Sequence, residues 1–307
     1  MSKSKFDEYL KDQTGTPDLF GYSVLPNNDM DYKNHFYGVY YNNDEFARFC
    51  KEMKENYSEI YNAYANGKGS ELIGTPPKMA SVASSSRFCY LALRDASITD
   101  IDKDVKVGKT KFEFEKDLPV KVIDGQNPQI DAFYDSEDSV YFFEFKCHEI
   151  FDNHDKTLSR QYDKFLQKWD IPRDSDKIPS YEFGGQFQRF DLKQFITHLT
   201  GISCHNCKGK KKIFSYVFFE PNCDSYNGVN FKIIYNKLRD EIKQLFSCDN
   251  VKYICQLSDY IIKKEKNSNE IINDKGIELR AYFYRNNKME GFDKTVKPEL
   301  YISSNNT

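Results

Sequence analysis

Asp131 is followed, after twelve intervening residues, by Glu144-Phe145-Lys146, and this spacing is where chemistry is most legible in the chain. Side chains alternate along a strand with period two, so Glu144, Lys146 and His148 share one face while Phe143, Phe145 and Cys147 share the other. The strand is otherwise Val140-Tyr141-Phe142-Phe143. Ionisable groups on such a strand are tolerated when they are paired or bind a metal. If Ile130–Tyr134 and Val140–Cys147 form a hairpin across the polar turn Asp135-Ser136-Glu137-Asp138, Asp131 comes beside that strand. Two carboxylates there make a hard oxygen site suited to Mg²⁺, with Mn²⁺ as a substitute and the Phe145 peptide carbonyl as a further ligand. The ammonium of Lys146 would stabilise charge on a phosphate, or help deprotonate an attacking water if its pKa were depressed. The competing reading is a structural ion pair, which is disfavoured because buried pairs are weak stabilisers.

The elements that must position these groups follow from pattern. The stretch 1–45 is polar and turn-rich. Phe46, Phe49, Met53, Tyr57, Ile60, Tyr61 and Tyr64 predict a helix over 45–65. Pro76-Pro77 opens a second helix over 78–94 with a face of small residues. Strands are expected at 112–115, 120–123, 130–134, 140–147, 213–219, 251–257 and 277–284, and helices within 150–182 and over 231–246. Asp191 and Gly201 read as the N-cap and C′ residue of a short helix between them. The simplest organisation is an N-terminal helical elaboration over 1–66, one α/β domain over 67–290 and a tail over 291–307.

Pro128, Asp131, Glu144 and Lys146 resemble the signature of the PD-(D/E)XK nuclease superfamily, with Gln129 and Ile130 standing between the proline and the aspartate. The run Pro76-Pro77-Lys78-Met79-Ala80-Ser81-Val82-Ala83-Ser84-Ser85-Ser86-Arg87 adds to the likeness. So do Glu144 to Phe151, and Phe190-Asp191-Leu192-Lys193-Gln194 with His198, in the manner of bacterial restriction-endonuclease-like proteins. The resemblance spans residues 67–220. It implies a restriction-endonuclease-like core (a mixed four-stranded sheet flanked by helices), Mg²⁺ dependence and hydrolysis of DNA, as in a restriction or defence system. It also implies an extra acidic residue near the metal at Glu71, and at Gln194 a contact to DNA or the active site. The alternative from another class is a nuclease fold that binds nucleic acid or a partner without cutting.

Candidate contacts to DNA are Lys78, Ser84, Ser85 and Arg87 on the small-residue segment, with His148 and His198 near the acidic pair. Each has a plain structural reading as well: tight helix packing for the serines and arginine, and local capping or packing for the histidines. The run Lys208-Gly209-Lys210-Lys211-Lys212 either follows a DNA backbone or is a solvated turn. Cys204 and Cys207 have zinc-like spacing, but regularly spaced partners are missing, which argues against zinc.

Composition bounds these readings. Of 307 residues, 39% are hydrophobic and 16% aromatic, enough for a packed core. A net charge of −3 offers no global attraction to nucleic acid, so any DNA grip is local. No apolar run approaches a membrane span, and the charged N-terminus is unlike a secretory signal. Eight cysteines read as reduced thiols, which with the rest predicts a cytoplasmic protein. Duplex DNA is the expected partner, and cutting both strands suggests a homodimer.

Overall fold

The computed structural model describes residues 3–14, 20–23, 38–69, 71–74, 76–108, 111–118, 127–151, 189–203, 205–246, 277–285 and 299–304. In chain order the elements are α1 (Lys3–Thr14), β1 (Phe20–Ser23), β2 (Gly38–Tyr41), α2 (Asn43–Asn56), α3 (Ser58–Asn66), α4 (Ser85–Leu93), β3 (Glu113–Asp117), β4 (Gln129–Asp135), β5 (Ser139–Lys146), α5 (Leu192–Ser203), β6 (Lys211–Glu220), β7 (Ser225–Tyr226), β8 (Val229–Asn230), α6 (Phe231–Phe246), β9 (Ile277–Arg285) and β10 (Glu299–Ser304). The strands expected at 120–123 and 251–257 and the helices expected within 152–182 lie outside the described residues.

The molecule is α/β, with a mixed central sheet flanked by helices. Strand order is β10-β9-β6-β5-β4-β3, five central strands with β10 added at one edge. β3, β4 and β5 form an antiparallel meander. β5, β6 and β9 run parallel. Every residue of β5 is buried, and nine of the ten in β6. That is the environment in which continuous apolar runs make strands, because both faces are covered. α4 covers one face, with Phe88 against Phe145 at 5.0 Å and Tyr284 at 5.8 Å. α5 covers the other, with Phe195 against Phe214 at 5.8 Å and Tyr216 at 6.0 Å. α6 packs on the α5 side, with Tyr235 against Phe283 and Phe246 against Phe195.

Several elements depart from the sequence pattern for identifiable reasons. The polar stretch 1–45 contains α1, whose Phe6, Tyr9 and Leu10 form a stripe at helical spacing that is fully buried. Phe6 lies 4.6 Å from Phe151 and 6.0 Å from Phe219, so this helix closes the sheet's own core. The helix expected over 45–65 is broken at Tyr57, which leaves helical geometry (φ −138°, ψ 52°). Its hydroxyl donates to Asp95 at 2.7 Å and its ring meets Tyr90 edge-on, contacts that override the apolar periodicity.

The helix expected over 78–94 is two pieces, a single 3-10 turn at Lys78–Ala80 and then α4. The serines between compete with the helix for backbone hydrogen bonds: Ser81 Oγ accepts from Ala83 N, and Ser84 caps α4 by accepting from Arg87 N. Asp191 is the N-cap as expected, accepting from Gln194 N at 2.9 Å. Gly201 is not a C′ residue, because α5 continues to Ser203. A Cβ at Gly201 would meet the Leu118 side chain at 2.8 Å, so the glycine serves the close approach of α5 to the end of β3.

Candidate active site

The β4–β5 ladder has Ala132 opposite Phe143 as its pair nearest the site, and the next step brings Asp131 to Glu144. There a side chain replaces the ladder: Asp131 Oδ2 accepts from Phe145 N at 2.6 Å. Glu144, 3% exposed, receives Lys146 Nζ at 2.7 Å and Gln194 Nε2 at 2.9 Å, both on Oε1. His198 Nδ1 lies 3.5 Å from the other oxygen, Oε2. Gln194 and His198 are four residues apart on α5, so one helix face presents both to Glu144. The cluster lies at the C-terminal end of β5, where α/β sheets commonly hold ligands.

Charge in this cluster is lopsided. Burial, reinforced by Glu144, pushes the Asp131 carboxyl well above its ordinary range despite the opposing pull of Lys146. Burial lowers the Lys146 ammonium, but Glu144, Glu149 and Asp131 more than offset this and hold it above the ordinary lysine value. In the metal-free chain this holds Lys146 as the ammonium, which favours the charge-stabilising role over that of a base. Burial pulls His198 below its ordinary value against the influence of Glu144, which keeps the imidazole neutral.

The structure also reveals a carboxylate that sequence reasoning missed. Glu115 is pushed up to about 8 by burial and by the neighbouring charges of Glu71 and Glu144, with Lys78 opposing. It sits in β3 across from Asp131 at φ +52°, a left-handed conformation that costs a non-glycine residue about 1–3 kcal/mol. Such strain is retained where surroundings over-determine it, and functional sites are the usual place. Glu149 was passed over too. Its carboxylate accepts from Ser85 Oγ and from Cys147 N, and it is held low, at about 2, by His148 and Lys146 against the cost of burial.

The remaining candidates divide. Glu71 is buried and reaches the acidic cluster, with Lys78 Nζ at 3.4 Å, from a bend between α3 and the 3-10 turn at Lys78–Ala80. Lys78 is the most exposed cation at this rim, at 64% for its side chain. Four expectations of a DNA-facing role are corrected by burial or bonding. Ser84 is buried as the α4 cap, and Ser85 ties α4 to the end of β5. Arg87 is 5% exposed, its guanidinium sandwiched 3.9 Å from the Tyr41 ring and 4.1 Å from Phe49. His198 is buried behind Glu144. His148 is half-buried, with Nδ1 2.6 Å from the Ala83 carbonyl, so that nitrogen carries the proton and donates.

The basic run lies at the opposite end of the sheet from Lys146. Lys211 pairs with Ser139 at the start of β5, seven residues and roughly 20 Å from Lys146 at about 3.3 Å per residue. Lys210 binds Asp135 and the Ser136 carbonyl, Lys211 binds Glu278, and Lys212 is buried. Cys204 lies outside the described residues, and Cys207 is a buried thiol beside His205.

Among the described residues, no three His, Cys, Asp or Glu side chains are drawn together into a ready-made metal cage. Mg²⁺ does not need one, since it keeps several waters and is typically held by one or two carboxylates. The donor chemistry fits. Four carboxylates, Glu71, Glu115, Asp131 and Glu144, influence one another at a site where Lys146 and Lys78 are the neighbouring cations. Asp131 Oδ1 and Glu144 Oε2 have no hydrogen bond among the described residues. Comparison with protein families, characterised proteins and solved structures gives no match to this chain.

Proposed function

We propose that this protein is a Mg²⁺-dependent nuclease of the PD-(D/E)XK type, hydrolysing phosphodiester bonds of duplex DNA in the manner of a restriction endonuclease. The observation that carries the reading is the meeting of Asp131, Glu144, Lys146 and Gln194 on one sheet face at the end of β5. Asp131, Glu144, the Phe145 carbonyl and Glu71 are the groups that would hold the cation. Bound there, Mg²⁺ supplies neutralisation of phosphate charge and a more acidic water. Asp131 is fixed through its bond to Phe145 N and keeps Oδ1 available. Lys146, cationic and 7% exposed, supports negative charge developing on the phosphate. Gln194 orients Glu144 from α5. Without a cation the carboxylates repel a phosphate, so activity is strictly metal-dependent. No described helix is long and apolar enough to cross a membrane. Free thiols and a DNA substrate fit action in the cytoplasm, and cutting both strands of a duplex fits a homodimer.

The test is incubation with supercoiled plasmid, with and without Mg²⁺ or Mn²⁺, beside single-stranded DNA and RNA. Glu144→Ala and Lys146→Ala should each lower duplex cleavage by at least ~100-fold while circular dichroism stays unchanged. Wild-type rates in both variants would remove the assignment. The second reading, a nuclease fold that binds without cutting, is favoured by one fact. Glu144 Oε1 already receives two donors, as in a closed structural network. Calorimetry separates the two, because Mn²⁺ binding that Asp131→Ala abolishes belongs to the nuclease alone.

A further inference from the structure

Tyr216 stands directly opposite Glu144 in the parallel pairing of β5 and β6. Paired residues on neighbouring strands project to the same face, so the phenol and the carboxylate leave the sheet side by side. Tyr216 is 2% exposed, and its ring is walled by Phe190 at 4.9 Å, Phe214 at 5.1 Å, Phe218 at 5.8 Å and Phe195 at 6.0 Å. Four phenylalanine rings make a setting in which a fifth would pack without penalty. The chain places a tyrosine there instead, and its hydroxyl is buried with no hydrogen-bond partner among the described residues. A buried hydroxyl left without a partner is costly, so this one calls for a function. Burial, with Glu144, Asp191 and Asp131 adding to it, holds the phenol protonated, which makes it a donor in the neighbourhood of carboxylates. Around Glu144 the donors are unevenly placed. Oε1 receives Lys146 and Gln194, whereas among the described residues Oε2 has His198 alone, at 3.5 Å.

We propose that Tyr216 is a positioning residue for Glu144, its hydroxyl giving that carboxylate a hydrogen bond, directly or through one enclosed water, in the cation-bound state. This rests on the nuclease reading above. A carboxylate that binds a cation loses part of its contact with a neighbouring ammonium, and a donor held in a rigid aromatic wall then fixes its orientation. Outer-shell partners of metal ligands change metal affinity or activity by about 10–100-fold when removed.

The decisive variant is Tyr216→Phe in the full chain, compared with Phe218→Leu as a packing control in the same wall. Three readouts are taken: thermal melting of metal-free protein, Mn²⁺ affinity by calorimetry without DNA, and plasmid cleavage at saturating Mn²⁺. Tyr216→Phe should melt at or above the wild-type temperature, bind Mn²⁺ about 10-fold more weakly and cut about 10-fold more slowly. Phe218→Leu should melt lower and bind Mn²⁺ as wild type does. Wild-type affinity and cleavage in Tyr216→Phe would overturn the assignment and leave the nuclease reading intact. Weaker Mn²⁺ binding in both variants, accompanied by lower melting in both, would reduce Tyr216 to packing and overturn it as well. A wild-type protein that neither binds Mn²⁺ nor cuts would bring down the nuclease reading, and Tyr216's role with it.

Discussion

Glu115 makes the electrostatics of the site measurable without any substrate. Its carboxyl is raised to about 8 in the folded chain, above the ordinary glutamate value of 4.5. The folded state therefore holds this proton more tightly than the unfolded state. The resulting stabilisation is complete below about pH 4.5 and is lost as pH rises through 8. Metal-free protein should accordingly lose melting temperature across that interval. Glu115→Gln should flatten the decline, gaining about 2–4 °C at pH 8 for each kcal/mol recovered. A variant as pH-sensitive as wild type would show that Glu115 is not the titrating group.

Arg87 gives the opposite kind of prediction. Sandwiched between Tyr41 and Phe49, it holds the N-terminal segments against α4, so Arg87→Ala should cost about 2–4 kcal/mol in urea denaturation. Loss of DNA affinity without loss of stability would instead place it at the nucleic-acid surface. Asp131, Glu144 and Lys146 were legible because period-two alternation exposes charges on an apolar strand. Glu115 was not, since Glu113-Phe114-Glu115-Lys116-Asp117 is charged throughout and its neighbours in space lie far off in sequence.

At the scale of elements, α5 is the part whose placement the site depends on most. It brings Gln194 and His198 to Glu144, and its seat is set by Gly201 against Leu118. Gly201→Ala should destabilise by about 1–3 kcal/mol through overpacking and also lower cleavage, as Gln194 shifts. Leu118→Ala in the same chain should restore part of both, whereas additive losses would mean the contact does not seat the helix. Asp191→Ala removes the cap and should cost about 1 kcal/mol. Strands β4, β5, β6 and β9 and helix α6 could be read from the sequence, because their apolar patterns meet cores of the matching shape. α1 carried its stripe in Phe6, Tyr9 and Leu10 but is short and surrounded by charge. The breaks at Tyr57 and before Ser84 come from tertiary and capping contacts that periodicity does not encode.

Across the whole molecule, the sheet has chemically distinct ends. The end of the sheet at which β5 and β6 terminate holds the carboxylates and Lys146, and the end at which they begin holds the lysine run, largely engaged by Asp135, Glu278 and the Ser136 carbonyl. Neutralising Lys208 and Lys210 to Gln should leave plasmid affinity within about two-fold and its salt dependence unchanged. A shallower salt slope would move the DNA track to that end. The sequence could not reveal this polarity, because the parallel adjacency of β5 and β6 joins segments separated by a long crossover. The same arrangement sets the tempo of the site. Glu144 and Lys146 ride on one strand, two residues apart, in the middle of the sheet, so no hinge or lid can separate them, and opening their contact needs torsion about side-chain bonds and no movement of one element past another. On the nuclease reading, rapid mixing of a pre-formed protein–DNA complex with divalent ion should therefore produce cleaved ends with no induction period.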